Sequence, residues 1–381
     1  MRDPAVQLKK EREIGPELLR IVAMLMIILS HISVHGGLTY PDVCLNGMIL
    51  SVMAMGGKTG VIIFILISGY FSVHASMRPK KAAILIAQTV FYSLLTYGLA
   101  CLAGADSFRP KHLFYALLPF FSDKGYWFIT IYLLLYVLTP LLNAGLKRLT
   151  QRQYLYMLAL FLFLGSVLPY TYGYFFKTQS YSLTELPWFA VLYSIGAYLR
   201  LYPIRLLRRR ALPCLMLFGT AVLAVGARIL YVVFGIKFNE PKSFFRMALL
   251  FLSNNTVYGP LAILFSVFAL IVFLQIKLKP NRPVFAAAGS VFGIYLLHDS
   301  EWTREYLWKE LVRLPRFGDS PFFIPAVLLI LLLIFTVGSL TDILRKNLLE
   351  KPLFNSALYK KAENALKLLI DRSSDKLHIR Y

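Results

Sequence analysis

Long apolar runs recur from one end of the chain to the other, and they constrain its fold more than any other feature. Crossing a bilayer takes about 20 apolar residues in a helix. Backbone N–H and C=O groups in hydrocarbon must form their hydrogen bonds within each segment, which a helix allows. The alternation of polar and apolar residues that is typical of membrane barrel strands is absent. With 58% hydrophobic residues among 381, the sequence predicts an all-α, polytopic membrane helical bundle. The first run is too long for a cleaved signal peptide, so we interpret it as a retained helix.

We predict about ten membrane spans. They lie near 18–36, 47–75, 82–103, 125–145, 154–170, 185–200, 212–234, 247–275, 284–300 and 321–343. The second and eighth runs exceed the length of one crossing, so we expect each to tilt or break.

The basic residues orient this map. The chain has a formal net charge of +22, and 27 of its 41 Lys and Arg residues fall in the segments that are inside if the N-terminus is cytoplasmic. Cytoplasmic loops of membrane proteins collect Lys and Arg, so the excess charge does not indicate nucleic-acid binding. Both termini are therefore expected in the cytoplasm. We divide the chain into a cytoplasmic segment 1–17, a membrane domain 18–344 and a basic cytoplasmic tail 345–381, which is expected to rest on the inner leaflet.

Two polar side chains interrupt the first apolar run. Arg20 and His31 are eleven residues apart, which at ~100° per residue leaves ~20° between them and places them ~16 Å apart along the axis of a helix. A charged group within the bilayer is a functional hypothesis by default, and a neutral imidazole suits general base catalysis near pH 7. The alternatives are a snorkelling arginine and a histidine that only bonds a neighbouring helix.

The stretch GVIIFILISGYFSVHASMRPKK, 60–81, combines small residues with a basic end. Ser68 permits close backbone approach, which in itself indicates only helix packing. Arg78, Lys80 and Lys81 either follow the positive-inside rule or hold a phosphorylated cytosolic ligand. The preceding GGKTG is not a phosphate loop, because Val52 stands where that motif needs its first glycine.

Three further residues are candidates for an acceptor site. Trp127 opens one predicted span, Glu185 opens another, and His298 ends a third just before Asp299. Each alone is more typical of a residue at the membrane interface than of an acceptor site. The segment 299–320 could form a short amphipathic helix on the outer surface. No metal-binding spacing such as HExxH occurs, so no metal is expected.

In order and spacing, these elements resemble the acyltransferase 3 family of membrane O-acyltransferases over residues 15–345, roughly. The resemblance rests on Arg20 with His31, and on GVIIFILISGYF, YWFITIYLLLYVLTPLL, LPWFAVLYSIGAYL and SVFGIYLLH. It implies about ten core helices, an essential histidine at His31 with its preceding arginine at Arg20, and a conserved tryptophan at Trp127. It also implies coenzyme A binding by Arg78, Lys80 and Ser68, with Lys81 in place of a second arginine, which loses the bidentate fork.

The resemblance further implies an activity. Members move an acyl group from cytosolic acyl-CoA to a hydroxyl, usually on a cell-surface or exported glycan, which predicts a multi-pass protein of a bacterial plasma membrane. Acetyl-CoA is the expected donor, with succinyl left open. The expected partners are the bilayer, the glycan acceptor and polysaccharide synthesis machinery. A glycan or lipid-linked intermediate transporter and a structural subunit of a glycan synthase remain alternatives, and transfer is either direct or through an acyl-histidine.

Overall fold

The computed structural model describes residues 13–40, 42–121, 125–168, 185–204, 207, 209–238, 244–253, 258–357, 359, 361 and 364. Within these ranges the chain is helical and contains no strand. The α-helices are α1 Ile14–His35, α2 Leu45–Ala54, α3 Gly56–Ser72, α4 Pro79–Leu102, α5 Pro110–Leu117, α6 Trp127–Leu146, α7 Gln151–Leu162, α8 Glu185–Leu201, α9 Ala211–Phe238, α10 Phe244–Leu252, α11 Pro260–Leu274, α12 Arg282–His298, α13 Phe323–Arg345 and α14 Lys351–Asn355.

Every predicted span coincides with a helix, and the predicted all-α membrane bundle is confirmed. Of the helices in the described ranges, six are long and apolar enough to cross a membrane. These are Ile14–His35, Leu45–Ser72, Pro79–Leu102, Trp127–Leu146, Ala211–Ile236 and Phe323–Asn355. The exact number of crossings stays a prediction. So do the positions of the two termini, because residues 1–12 and nearly all of the tail beyond 357 lie outside the described residues.

The two overlong runs are broken, as the sequence predicted. Met55 separates α2 from α3, and the eighth run divides into Phe244–Leu252 and Pro260–Leu274. Pro260 stands in the first turn of the second piece, where a missing N–H costs nothing. The last span differs from its prediction of 321–343, because helical structure continues to Asn355.

Helix α3 lies at the centre of the bundle, against α1, α8 and α11. Glycines permit this packing: a Cβ at Gly69 would overlap the backbone carbonyl of Tyr193 on α8, and a Cβ at Gly196 would overlap that of Leu66. Gly57 similarly faces the Ser30 hydroxyl of α1. Small residues bring membrane helices into backbone contact, where dispersion contacts accumulate. Residues 57–58 of α3 therefore lie level with residues 30–31 of α1.

A charged network joins α4 to α13, and Lys346 extends it to α12 by donating from Nζ to the Gly289 carbonyl at 2.6 Å. Asp342 is fully buried and accepts hydrogen bonds from Gln88 Nε2 at 2.9 Å and from the Tyr92 hydroxyl at 3.1 Å. Arg345 Nε and Lys346 Nζ pair with the same carboxylate at 3.0 and 2.7 Å. A buried charge is tolerated only when paired in this way, so the network fixes the register of three helices.

Candidate active site

A cavity of about 730 Å³ lies between α1, α3, α6 and α12. Its walls are mostly apolar, and polar side chains line it in two groups. Arg20 and Lys81 lie at the Arg20 end, and His31, His35, Lys58, Asp299, Glu301 and Arg304 lie at the His31 end. The predicted shared face of Arg20 and His31 therefore opens onto one cavity.

His31 is held by a second histidine from a distant part of the chain. His31 Nδ1 lies 3.0 Å from Nε2 of His298, whose own Nδ1 lies 2.6 Å from the backbone carbonyl of Ile294. A carbonyl oxygen only accepts, so Nδ1 of His298 carries the hydrogen. With both rings neutral, Nε2 of His298 accepts and Nδ1 of His31 donates. This assignment leaves Nε2 of His31 unprotonated, with its lone pair available.

The end of α12 that carries His298 is itself fixed. The Tyr126 hydroxyl donates to the carbonyl of Leu296 at 2.8 Å, and the hydroxyls of Thr96 and Ser300 are 2.7 Å apart. His298 is 2% exposed. Such surrounding bonds orient a catalytic imidazole, because they remove its freedom to rotate.

Next to His31 lies an ion cluster from the loop after α12. Asp299 Oδ1 is 3.1 Å from Arg304 Nε and 3.8 Å from His31 Nδ1, and Arg304 also pairs with Glu301. The Arg304 guanidinium thus gives the buried Asp299 carboxylate its charged partner. The loop was predicted as a surface helix. Instead it packs into the bundle, with Trp308 fully buried in a π-helical turn at Tyr306–Val312.

One set of potential metal ligands occurs at this end. His31, His35 and Asp299 each offer a ligand atom, and these atoms lie within 4.8 Å of one another. Asp299 is already paired with Arg304, however, and Nδ1 of His31 with His298. A cation would have to compete with both contacts, and the expectation of no metal stays a prediction.

The predicted coenzyme-binding residues divide into two groups at the Arg20 end. Arg20 pairs with Glu17 at 2.7 Å and lines the cavity, as do Lys81 and Ser68. Lys81 also lies over the ring of Tyr136, 5.1 Å from its centroid.

The other two predicted residues of this group, Arg78 and Lys80, do not line the cavity. Arg78 is bound through its backbone N–H, which donates to the Tyr136 hydroxyl at 3.0 Å. Lys80 lies over the ring of Tyr359, 5.7 Å from its centroid. They lie beside the cavity rather than in its wall.

Residues 13–341 match the family model whose description is acyltransferase domain, Acyl_transf_3. This match covers most of the chain. The chain belongs to the acyltransferase 3 family. No curated protein and no solved structure matches it.

Membership in the acyltransferase 3 family makes the chain a multi-pass membrane acyltransferase and gives the cavity its chemical context. Of the residues that the resemblance selected, His31, Arg20, Ser68 and Trp127 all line this cavity. His298 is not in the wall but contacts His31 from behind. Glu185 is exposed at the start of α8 and lies outside the cavity lining.

Sequence reasoning missed several residues of this acyltransferase site. It named Asp299 only as a neighbour of His298 and gave no role to His35, Lys58 or Arg304, all of which line the cavity. Lys58 carried a usable signal, because it is a lysine within an apolar helix. Asp299 and Arg304 carried no such signal in the sequence, because only the folded loop after α12 brings them to His31.

Proposed function

We propose that the protein is an O-acyltransferase that moves an acyl group from cytosolic acyl-CoA to a hydroxyl of a cell-surface or exported polysaccharide. Acetyl-CoA is the expected donor. The observation that carries the proposal is the orientation of His31, whose Nε2 is free beside a cavity that also reaches the cations Arg20 and Lys81. The positive-inside pattern supports a cytosolic Arg20 end and a bacterial plasma membrane location.

The Arg20 end suits the phosphates of the donor. Arg20 and Lys81 present charge-assisted donors to the cavity, and Arg78 and Lys80 add positive charge beside it. The thioester-bearing arm then lies along the apolar wall between the two ends. Ser68 is placed to order this wall, since its hydroxyl donates to the Phe64 carbonyl and accepts from Tyr132.

At the His31 end, Nε2 of His31 takes the proton of the acceptor hydroxyl. The acceptor oxygen attacks the thioester carbonyl, and the carbon–sulfur bond breaks. The imidazolium then returns its proton to the departing coenzyme A thiolate, so the products are the ester and free coenzyme A. His298 keeps the proton on Nδ1 of His31 throughout, as an orienting hydrogen bond does in catalytic triads.

Two alternatives stay open within the same site. Nε2 of His31 could accept the acyl group first and pass it to the hydroxyl afterwards. A glycan transporter would also use a polar cavity, but membership in an acyltransferase family favours the enzyme. Participation of polysaccharide synthesis machinery is part of the proposal and does not alter the chemistry at His31.

The test uses the purified full chain in lipid nanodiscs with acetyl-CoA and a surface polysaccharide extract. Release of coenzyme A and mass increase of the glycan are both measured. For His31→Ala we expect a loss of about 10²- to 10⁴-fold in transfer, with acyl-CoA binding retained. His112→Gln is the matched control, because His112 pairs with Asp106 away from the cavity. Full transfer by His31→Ala at normal protein levels would contradict the proposal.

A further inference from the structure

Lys58 is a cation in the wall of the cavity, and the transfer step described above does not use it. It belongs to α3 and lies level with Ser30 and His31, because Gly57 packs directly on Ser30. Its ammonium lies over the ring of Trp127, 4.2 Å from the centroid. Lys58 and Trp127 therefore form a single patch, the Lys58–Trp127 patch, where α3 and α6 line the cavity.

No carboxylate oxygen of the described residues lies within 4.0 Å of the Lys58 ammonium, although the charges of Glu185 and Asp299 act on it from farther away. Of these two carboxylates, Asp299 pairs with Arg304, and Glu185 is exposed at the start of α8 and lies outside the cavity lining. A π face attracts a cation but accepts no conventional hydrogen bond. Three N–H donors with a full positive charge thus face the polar His31 end of the cavity without a direct ion pair, and a partly buried charge is stabilised by such a partner.

The missing counter-ion has a definable chemistry. A single ammonium, backed by an aromatic ring, matches one negative charge with two acceptor oxygens. Phosphate groups recruit several cations or an arginine fork, and the basic residues that suit them lie at the Arg20 end. A carboxylate is therefore the ligand that fits the Lys58–Trp127 patch.

We propose that Lys58 and Trp127 form a carboxylate-binding subsite that selects acidic substrates. This inference rests on the proposed acyl transfer and names its substrate class. The carboxylate has two possible sources, because both substrates meet at His31. It belongs either to the far end of a dicarboxylic acyl group such as succinyl, or to an acidic sugar of the acceptor.

The experiment compares wild type, Lys58→Met and Lys58→Arg as purified full chains in nanodiscs. Lys111→Met is the matched control, because Lys111 also lies over a ring, that of Tyr115, but outside the cavity. Dissociation constants are measured for acetyl-CoA, succinyl-CoA, and oligosaccharides of glucose and of glucuronic acid. Binding does not require turnover, so this readout stands even if His31 has another role.

Each source predicts its own pattern. If the acyl group carries the carboxylate, wild type binds succinyl-CoA more tightly than acetyl-CoA, and Lys58→Met weakens only succinyl-CoA, by about 10- to 100-fold. If the acceptor carries it, the same loss falls on the glucuronic acid oligosaccharide alone. Lys58→Arg retains most of the preference in either case, and Lys111→Met behaves as wild type.

Two outcomes would overturn the proposal. Lys58→Met could leave the affinity of all four ligands unchanged, or it could weaken acidic and neutral ligands equally. Equal loss of acetyl and succinyl turnover with unchanged binding would also reject a carboxylate subsite, since Lys58 would then act on the reacting carbonyl. Failure of the acyl transfer itself is recognised separately, because wild type would then release no coenzyme A from either donor.

Discussion

Replacing His298 tests how the structure activates its candidate base. His298→Phe keeps an aromatic ring of similar size in a site that is 2% exposed, but it removes the acceptor for Nδ1 of His31. His31 can then place its single proton on either nitrogen. Only the form with the proton on Nδ1 leaves Nε2 free to accept the hydroxyl proton in the cavity.

The size of the effect follows from one hydrogen bond. The His31–His298 contact measures 3.0 Å, and a bond of this kind contributes about 1–2 kcal/mol, more as the donor gains charge. Its loss lowers kcat by about 5- to 30-fold, which is less than the loss expected for His31→Ala. The KM for acyl-CoA should stay close to the wild-type value, because the proposed site for the donor phosphates is at the Arg20 end, away from His298.

The assay is steady-state release of coenzyme A by the purified variant in nanodiscs, with thermal stability and acyl-CoA binding measured on the same sample. His298→Gln is the conservative partner, since its amide oxygen can accept from Nδ1 and should restore part of kcat. The reasoning is refuted if His298→Phe, folded and binding acyl-CoA normally, retains kcat within a factor of two. An increase in KM alone would refute it as well, because a positioning residue acts on the step and not on donor binding.

Three other predictions concern the donor end and the packing. Lys81→Met should raise the KM for acyl-CoA several-fold more than Arg78→Met, because only Lys81 lines the cavity; equal effects in steady-state kinetics would show that the cavity wall is not the phosphate site. Asp342→Ala should destabilise the fold by about 3 kcal/mol, because Gln88 and Tyr92 lose their buried acceptor and the buried Arg345 keeps only Glu350 as a partner; a thermal denaturation midpoint near wild type would contradict this. Gly196→Val should abolish the folded protein, since its side chain overlaps the backbone of α3. Gly219→Val, where no atom lies within 4 Å, should give a normal size-exclusion profile.

The fold was predictable to the extent that hydrocarbon dictates it. A run such as Leu18 to His35 has no alternative to a helix in a bilayer, so element type and approximate position followed from hydropathy. The breaks followed from excess length, as at Met55. The end of the last helix could not be predicted from hydropathy. Residues 346–355 are polar enough to leave the bilayer, but their backbone still continues the helix.

The arrangement of the site was predictable only for two side chains that lie on the same helix. Arg20 and His31 share α1, so helical periodicity placed them on one face. His298 is 267 residues away from His31, and nothing local to either residue indicates the contact. Lys80 and Lys81 are successive residues of one helix and therefore point in different directions, so only Lys81 reaches the cavity. Their directions depend on where α4 begins, at Pro79. Helix boundaries are the least certain part of a sequence-based prediction.

The distance between these residues in the sequence has a consequence for assembly of the site. Helix α1 carries Arg20 and His31 into the membrane first, but the bond that selects the tautomer of His31 comes from α12, and Asp299 and Arg304 come from the loop after it. A chain interrupted before residue 298 thus contains the candidate base without the group that orients it. Because α12 also packs on α13 through Asp342, the last helices hold His298 in place as well as completing the bundle. The proposed role of His31 as a base is therefore a property of the finished fold and not of the first helix.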